Sequence, residues 1–295
     1  MAQPGQVLTG EEVFRQLEGV DNLPTLPTVI EELGRTIRDP NSDAKRVSRI
    51  IEDDPAIMAR ILKVVNSAYY GGQEPITSVQ TAVARMGMRA VNNIALSTAV
   101  FSAFGEQEED GFDREEFWRH SISAGIASVV VYERAQQHMQ SRYGKDVLHL
   151  AGLLHDIGKI IFDQFFHNEF HEALRVSRDR KIPLNEAERE VLGSDHAEVG
   201  AWLGMKWNLS SDILQVIRWH HEPEKTDVEN WGLAAVCHTA DYICNLEKIG
   251  DGGNAAPGFQ KSVWKKLGLA VSDIQDVVEM VGEESKNSEI LMAFV

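Results

Sequence analysis

With 295 residues, 43% hydrophobic and 25% charged, the chain is large enough for one large core or two moderate ones, which excludes a disordered or low-complexity polypeptide. A formal net charge of −16 repels nucleic-acid backbones and anionic headgroups, so general nucleic-acid binding and a charge-driven membrane role are excluded. No run reaches the roughly 18 apolar residues of a membrane span, residues 1–10 lack the features of a signal peptide, and two cysteines cannot build a disulfide framework; a cytoplasmic protein is expected.

In chain order, residues 1–19 read as a tail and a short amphipathic helix marked by Val13, Phe14 and Leu17. Residues 20–110 read as a helical bundle. Leu23-Pro24-Thr25-Leu26-Pro27 makes an extended turn into a helix with Val29, Ile30, Leu33 and Ile37 on one face, where Thr28 and Glu31 have the spacing of a capping box. Asp39-Pro40-Asn41 stops it. A helix from Ser42 or Asp43 carries Val47, Ile50 and Ile51, and Asp54-Pro55 starts another with Asp as cap and Pro at the first position. That helix ends in Asn66-Ser67-Ala68-Tyr69-Tyr70, a packed helix end or a recognition surface. Two further helices, separated by Gly87, carry Val79, Ala82, Val83 and Met86, then Val91, Ile94, Ala95, Thr98 and Ala99. No alternation of apolar and polar residues with hairpin turns occurs, so no sheet is expected.

All ten histidines lie between positions 120 and 238, which gives the second half a different chemistry. In residues 111–248 a long helix with Phe117, Ile122, Ile126, Val129 and Val130 carries Glu116 and His120, four apart and on one face. Leu153-Leu154-His155-Asp156-Ile157-Gly158-Lys159 then sets an imidazole beside a carboxylate at the end of an apolar run. Neighbouring helical positions diverge by about 100°, so His155 and Asp156 suit two ions sharing the carboxylate better than one ion. Asp195 caps a helix with His196 in its first turn, His220-His221 ends another before Pro223, and Asp241 intrudes into the apolar stripe of Leu233, Val236, Cys237 and Ala240. Cys237 and Cys244 share this helix and read as reduced, packed thiols. Residues 249–295 read as a Gly-rich loop and two closing helices bearing Val263, Trp264, Leu267, Ile274, Val277 and Val281.

Imidazoles and carboxylates converging from several helices are how bundle cores build dinuclear sites for Fe, Mn, Zn or Ni. The expected ligands are His120, His155, Asp156, His196, His220, His221 and Asp241, with Glu116 a weaker candidate because Asp113 and Glu115 make it part of an acidic helix start. Two such ions could polarise a phosphoryl oxygen and activate water, with Asp156 and Lys159 as the catalytic residues and Lys159 on the anion. His138, His149, His167, His171 and His238 read as surface or packing histidines, with a place behind Asp241 as the alternative for His238, three residues before it.

The order His120, then His155-Asp156, then Asp241 resembles the HD-domain superfamily. His196 and His220-His221 resemble its HD-GYP branch of cyclic di-GMP phosphodiesterases, but no Gly-Tyr-Pro follows Glu222. Leu23-Pro24-Thr25-Leu26-Pro27, Asp54-Pro55, Asn66-Ser67-Ala68-Tyr69-Tyr70, Gly87 and Phe117-Trp118-Arg119-His120 resemble the HDOD domain, over roughly residues 20–245. The resemblance implies an all-α fold of two packed helical subdomains, the C-terminal one HD-like, and a bacterial signal-transduction output or adaptor role. Such a module would take its signal from a protein partner or a small ligand. The alternative is a metal-dependent phosphohydrolase acting on a nucleotide or another phosphoester.

Overall fold

The computed structural model describes residues 8–67, 70, 71, 74–104, 112–270 and 272–287, and among them all regular structure is helical. The first half contains α1 (Gly10–Glu18), α2 (Thr28–Arg38), α3 (Ala44–Glu52), α4 (Pro55–Val65), α5 (Val79–Met86) and α6 (Met88–Ala103). The apolar stripes read from the sequence are the buried faces: Ile30 and Leu33, Val47 and Ile51, Ile61 and Val65, Val91 and Ile94. Asp43, Asp54 and Ser78 each accept hydrogen bonds from the first turn of the following helix, and Pro55 opens α4 with a fixed φ and no amide to satisfy. Gly87, at φ +87°, makes the corner between α5 and α6.

One local expectation needs correction. Thr28 is already helical and caps nothing; Pro27 stands at the N-cap without a side-chain bond. The capping box sits one helix earlier, where Thr9 and Glu12 bond reciprocally. Asn66 is committed to structure, donating to the Leu62 and Ile76 carbonyls and accepting from the Ile76 amide, while Tyr70 lies edge-on to His149. Tyr69 and residues 1–7 lie outside the described residues.

The second half is organised around α7 (Arg114–Ala135), buried on nearly every side between α8 (Lys145–Leu154), α14 (Trp231–Leu246) and α16 (Asp273–Asn287). Around this core run α9 (Gly158–Phe165), α10 (His167–Arg180), α11 (Leu184–Leu192), α12 (His196–Lys206), α13 (Ser211–Trp219) and α15 (Lys261–Lys266). The pair α10 and α11 is not anticipated by the sequence reading. The only buried residues of α10 are Phe170, Ala173 and Ser177, a stripe too narrow to stand out among its charges.

The chain's beginning packs on its second half. The Leu8 amide donates to the Val191 carbonyl, Phe14 lies against Trp202, and Trp207 Nε1 donates to the Pro24 carbonyl. No helix among the described residues is long and apolar enough to cross a membrane.

Candidate metal centre

The α8 helix ends at Leu154, and His155, Asp156 and Ile157 form a turn before α9 starts at Gly158. His155 and Ile157 keep helical dihedrals through this turn, and Asp156 joins the two sides of the cluster because its two oxygens face different histidines. Asp156 is shared. Its Oδ2 lies 3.2 Å from His155 Nε2 and 3.7 Å from His120 Nε2, and Asp241 Oδ1 closes this side at 3.1 Å from His120 Nε2 and 3.3 Å from His155 Nε2. Its Oδ1 faces the other way, 3.1 Å from His196 Nε2 and 3.6 Å from His220 Nε2. His221 Nε2 reaches His196 Nε2 at 2.8 Å. The donor atoms of His120, His155, Asp156 and Asp241 lie within 4.8 Å of one another, as do those of Asp156, His196, His220 and His221.

The rings of His155, His196 and His220 are held from behind. His155 Nδ1 donates to the Gly152 carbonyl at 2.6 Å and His220 Nδ1 to the Ile217 carbonyl at 2.9 Å, which turns each Nε2 towards the cluster. His196 Nδ1 is 2.5 Å from Glu188, which also accepts from the His196 amide. Asn245 donates to Asp241 Oδ1 at 2.6 Å. His238 bonds the His220 carbonyl, not Asp241, and so braces the other side of the site.

Burial opposes ionisation of Asp156, yet the charges of His155 and Lys159 outweigh it and hold the carboxyl well below the usual range. Asp241 is likewise held low, against its burial, by His120 and His155. Burial disfavours the charged form of His155, but Asp156 and Asp241 carry it up to about 10; Glu188 and Asp156 carry His196 up to about 9 against the same penalty. Burial, with neighbouring histidines, pushes His220 and His221 down.

A cation fits this donor set. His155 Nε2, His220 Nε2 and Asp156 Oδ1 are buried without a hydrogen-bond partner among the described residues, a costly condition that an ion relieves. Imidazole nitrogens and carboxylate oxygens suit first-row transition metals, and ion uptake would displace protons from the raised histidines.

Lys159 and Glu116 stand apart from their expected roles. Lys159 is 1% exposed, and its Nζ donates to Asp156 Oδ2 at 2.5 Å and to the Gly252 carbonyl at 2.8 Å, so it neutralises the shared carboxylate and does not face an incoming anion. Glu116 pairs with Arg119. Glu188 was not foreseen, although it interrupts the apolar stripe of Leu184, Ala187 and Leu192 as Asp241 interrupts its own.

Two glycine contacts set the site's outline. Gly158 lies where α9 meets α12: a Cβ there would stand 2.0 Å from the His196 carbonyl oxygen. Over His120 runs a strap of residues 249–253. Gly250, at φ +69°, lies against the His120 backbone, the Asp251 amide donates to the Glu116 carbonyl, and a Cβ on Gly252 would stand 3.0 Å from the His120 ring.

Residues 23–223 match the HDOD domain model. A crystal structure of an HDOD domain protein of unknown function from Geobacter sulfurreducens is 25% identical, with a TM-score of 0.71 and 95% of each chain covered. That of a candidate phosphohydrolase from Shewanella amazonensis SB2B is 24% identical, with a TM-score of 0.69, covering 93% of this chain and 97% of that one. An uncharacterised protein of Treponema pallidum is 26% identical over 204 residues, which are 68% of this chain and 38% of that relative's length. The match over residues 23–223 together with this helical architecture makes the chain a member of the HDOD domain family.

Proposed function

We infer that the protein is a bacterial signal-transduction output or adaptor module whose buried site holds two divalent transition-metal ions, of Fe, Mn, Zn or Ni, on His120, His155, Asp156 and Asp241 and on Asp156, His196, His220 and His221. The observation that carries this reading is the closure of the site. His120, His155, Asp156, His196 and His220 are at most 1% exposed, the 249–253 strap covers His120, and Lys159 occupies the shared carboxylate. A phosphoester would have to lift the strap to reach His120, and of the donors only His221 is half-buried rather than buried. Ions in such a place bind α7, α9, α12 and α14 together, and their binding free energy becomes folding free energy. A cavity of about 420 Å³ lies elsewhere, lined by Met139, Tyr143, Val228, Trp231 and Lys266, and contains none of the donors. It offers a place for a small signalling ligand apart from the metals.

A second reading, metal-dependent phosphohydrolase, is favoured by the position of Asp156 between the two donor groups, the arrangement of two-metal hydrolases. Bound metals would there supply Lewis acidity and an activated water. Asp156 and Asp241 would hold the ions, and Lys159 would balance the charge on Asp156. The likeness to the Shewanella protein shows the fold and leaves the reaction open.

Elemental analysis of tag-free protein, followed by a screen of cyclic and linear nucleotides, decides between them. The adaptor reading expects about two transition-metal ions per chain, no turnover, and an Asp156→Ala variant that loses metal and thermal stability. Hydrolysis that disappears with Asp156→Ala would overturn it in favour of the enzyme. A folded protein that neither carries nor takes up metal would remove the enzyme reading and the metal site and leave the adaptor.

A further inference from the structure

A third group of metal-type donors stands at the junction of α9 and α10, outside the centre described above. Asp163, one turn after Lys159, is 4% exposed. Phe166, at φ −135° and ψ 42°, breaks the helix, and α10 starts at His167. His167 Nδ1 comes within 3.4 Å of Asp163 Oδ1 and His171 Nε2 within 3.9 Å of the same oxygen. The two imidazole rings lie 4.2 Å apart between centroids, and the donor atoms of all three residues fall within 4.8 Å of one another.

From this geometry we propose that Asp163, His167 and His171 form a separate, solvent-accessible site for a transition-metal ion such as Zn²⁺, Ni²⁺ or Cu²⁺. Spacing supports it first: His167 and His171 are four apart on α10, which sets both rings on one helix face. Orientation supports it next. Arg114 holds Asp163 Oδ2 through Nε at 2.8 Å and a second nitrogen at 2.6 Å, which fixes the carboxylate with Oδ1 towards the histidines. The guanidinium also offsets the carboxylate charge, so the site leans on its imidazoles and selects nitrogen-preferring metals over Mg²⁺ or Ca²⁺. Access differs from the buried centre: the His167 and His171 side chains are 30% and 27% exposed, so an ion can arrive from solvent and keep water on its remaining positions. The negative surface of the whole chain raises the local concentration of cations. A bound ion would tie α9 to α10 across the break at Phe166 and, through Arg114, to the start of α7.

Zn²⁺ titration of the full chain by calorimetry, unaltered and as the His167→Gln/His171→Gln double variant, tests this. The variant should take up one ion per chain fewer and lose the weaker binding step, while the metal it retains through purification is unchanged. Because the difference between the two chains is what counts, the outcome is independent of whether the buried centre holds metal. Identical stoichiometry and isotherms would overturn the proposal. Should the variant fold poorly, modification of the unaltered protein by diethyl pyrocarbonate takes its place: Zn²⁺ should protect His167 and His171, and equal modification with and without Zn²⁺ overturns the site.

Discussion

The two halves of the chain bury polar groups in different ways. In α2 to α6 the buried polar side chains are small hydroxyls such as Thr36, Ser48, Ser97 and Thr98, and Ser48, Ser97 and Thr98 bond carbonyls of their own helix. Around α7 to α14 the core instead holds His120, His155, Asp156, Lys159, Glu188, His196, His220 and Asp241. Hydroxyls on a helix cost little, since the backbone satisfies them locally. Buried charges are costly, and each persists only because a partner from another helix meets it. The first half is therefore built for packing alone, and the second gives up stability for a constellation that packing does not require.

Removing a partner from the second half should break this contrast most sharply. Lys159→Met takes the nearest cation from Asp156 Oδ2 and leaves His155 beside it, and in chelator-treated protein it should cost about 3 kcal/mol in urea unfolding. With metal restored the loss should shrink, because the ions then balance the same carboxylate. A loss that is equal with and without metal would show that Asp156 does not face the ions.

Acid should act next, at the seam between the halves. His149 packs against Gly125 of α7 and edge-on to Tyr70, and burial pulls it down to about 4 from the ordinary 6.5. Its folded form stays neutral while the unfolded chain takes up a proton. Stability from this group is complete above pH 6.5 and falls as pH drops towards 4. Between pH 6.5 and 5 the loss should be about 2 kcal/mol. In His149→Gln the fall in unfolding free energy over that range should be shallower by this amount; parallel curves would show that the ring is not neutral by burial.

The smallest expected effect tests the first half. Asp54 accepts from the Ala56 and Ile57 amides, so Asp54→Ala should cost about 1 kcal/mol. Thr28→Ala, at a position that caps nothing, should stay within about 0.5 kcal/mol. Equal losses would mean that the helix starts are not differentiated as the structure has them.

The helical stripes and the cap at Asp54 were legible because periodicity and capping act within a few residues. The converging His120, His155, Asp156, His196, His220, His221 and Asp241 were legible as a set because histidines and a carboxylate beside or within apolar helices need a common partner. Glu188 escaped because its helix carries many charges, among which its place in the stripe of Leu184, Ala187 and Leu192 does not stand out. The surroundings of Lys159 were only partly legible: Asp156 stands three residues back, but the Gly252 carbonyl lies 93 residues away, and no local pattern encodes that distance. Glu116 shows the converse, since helical spacing with His120 was met but Arg119 stands closer.

Gly158 gives the site a mechanical property. Its Cα packs directly on the His196 carbonyl, so the gap between the α9 turn bearing Asp156 and the start of α12 is set by backbone against backbone. Main-chain contact is a hard stop, whereas side chains yield by changing rotamer. Exchanging residues around the site would alter which donors are offered, while the gauge between them stays fixed. Gly158→Ala would act in reverse, keeping every donor and widening the gauge.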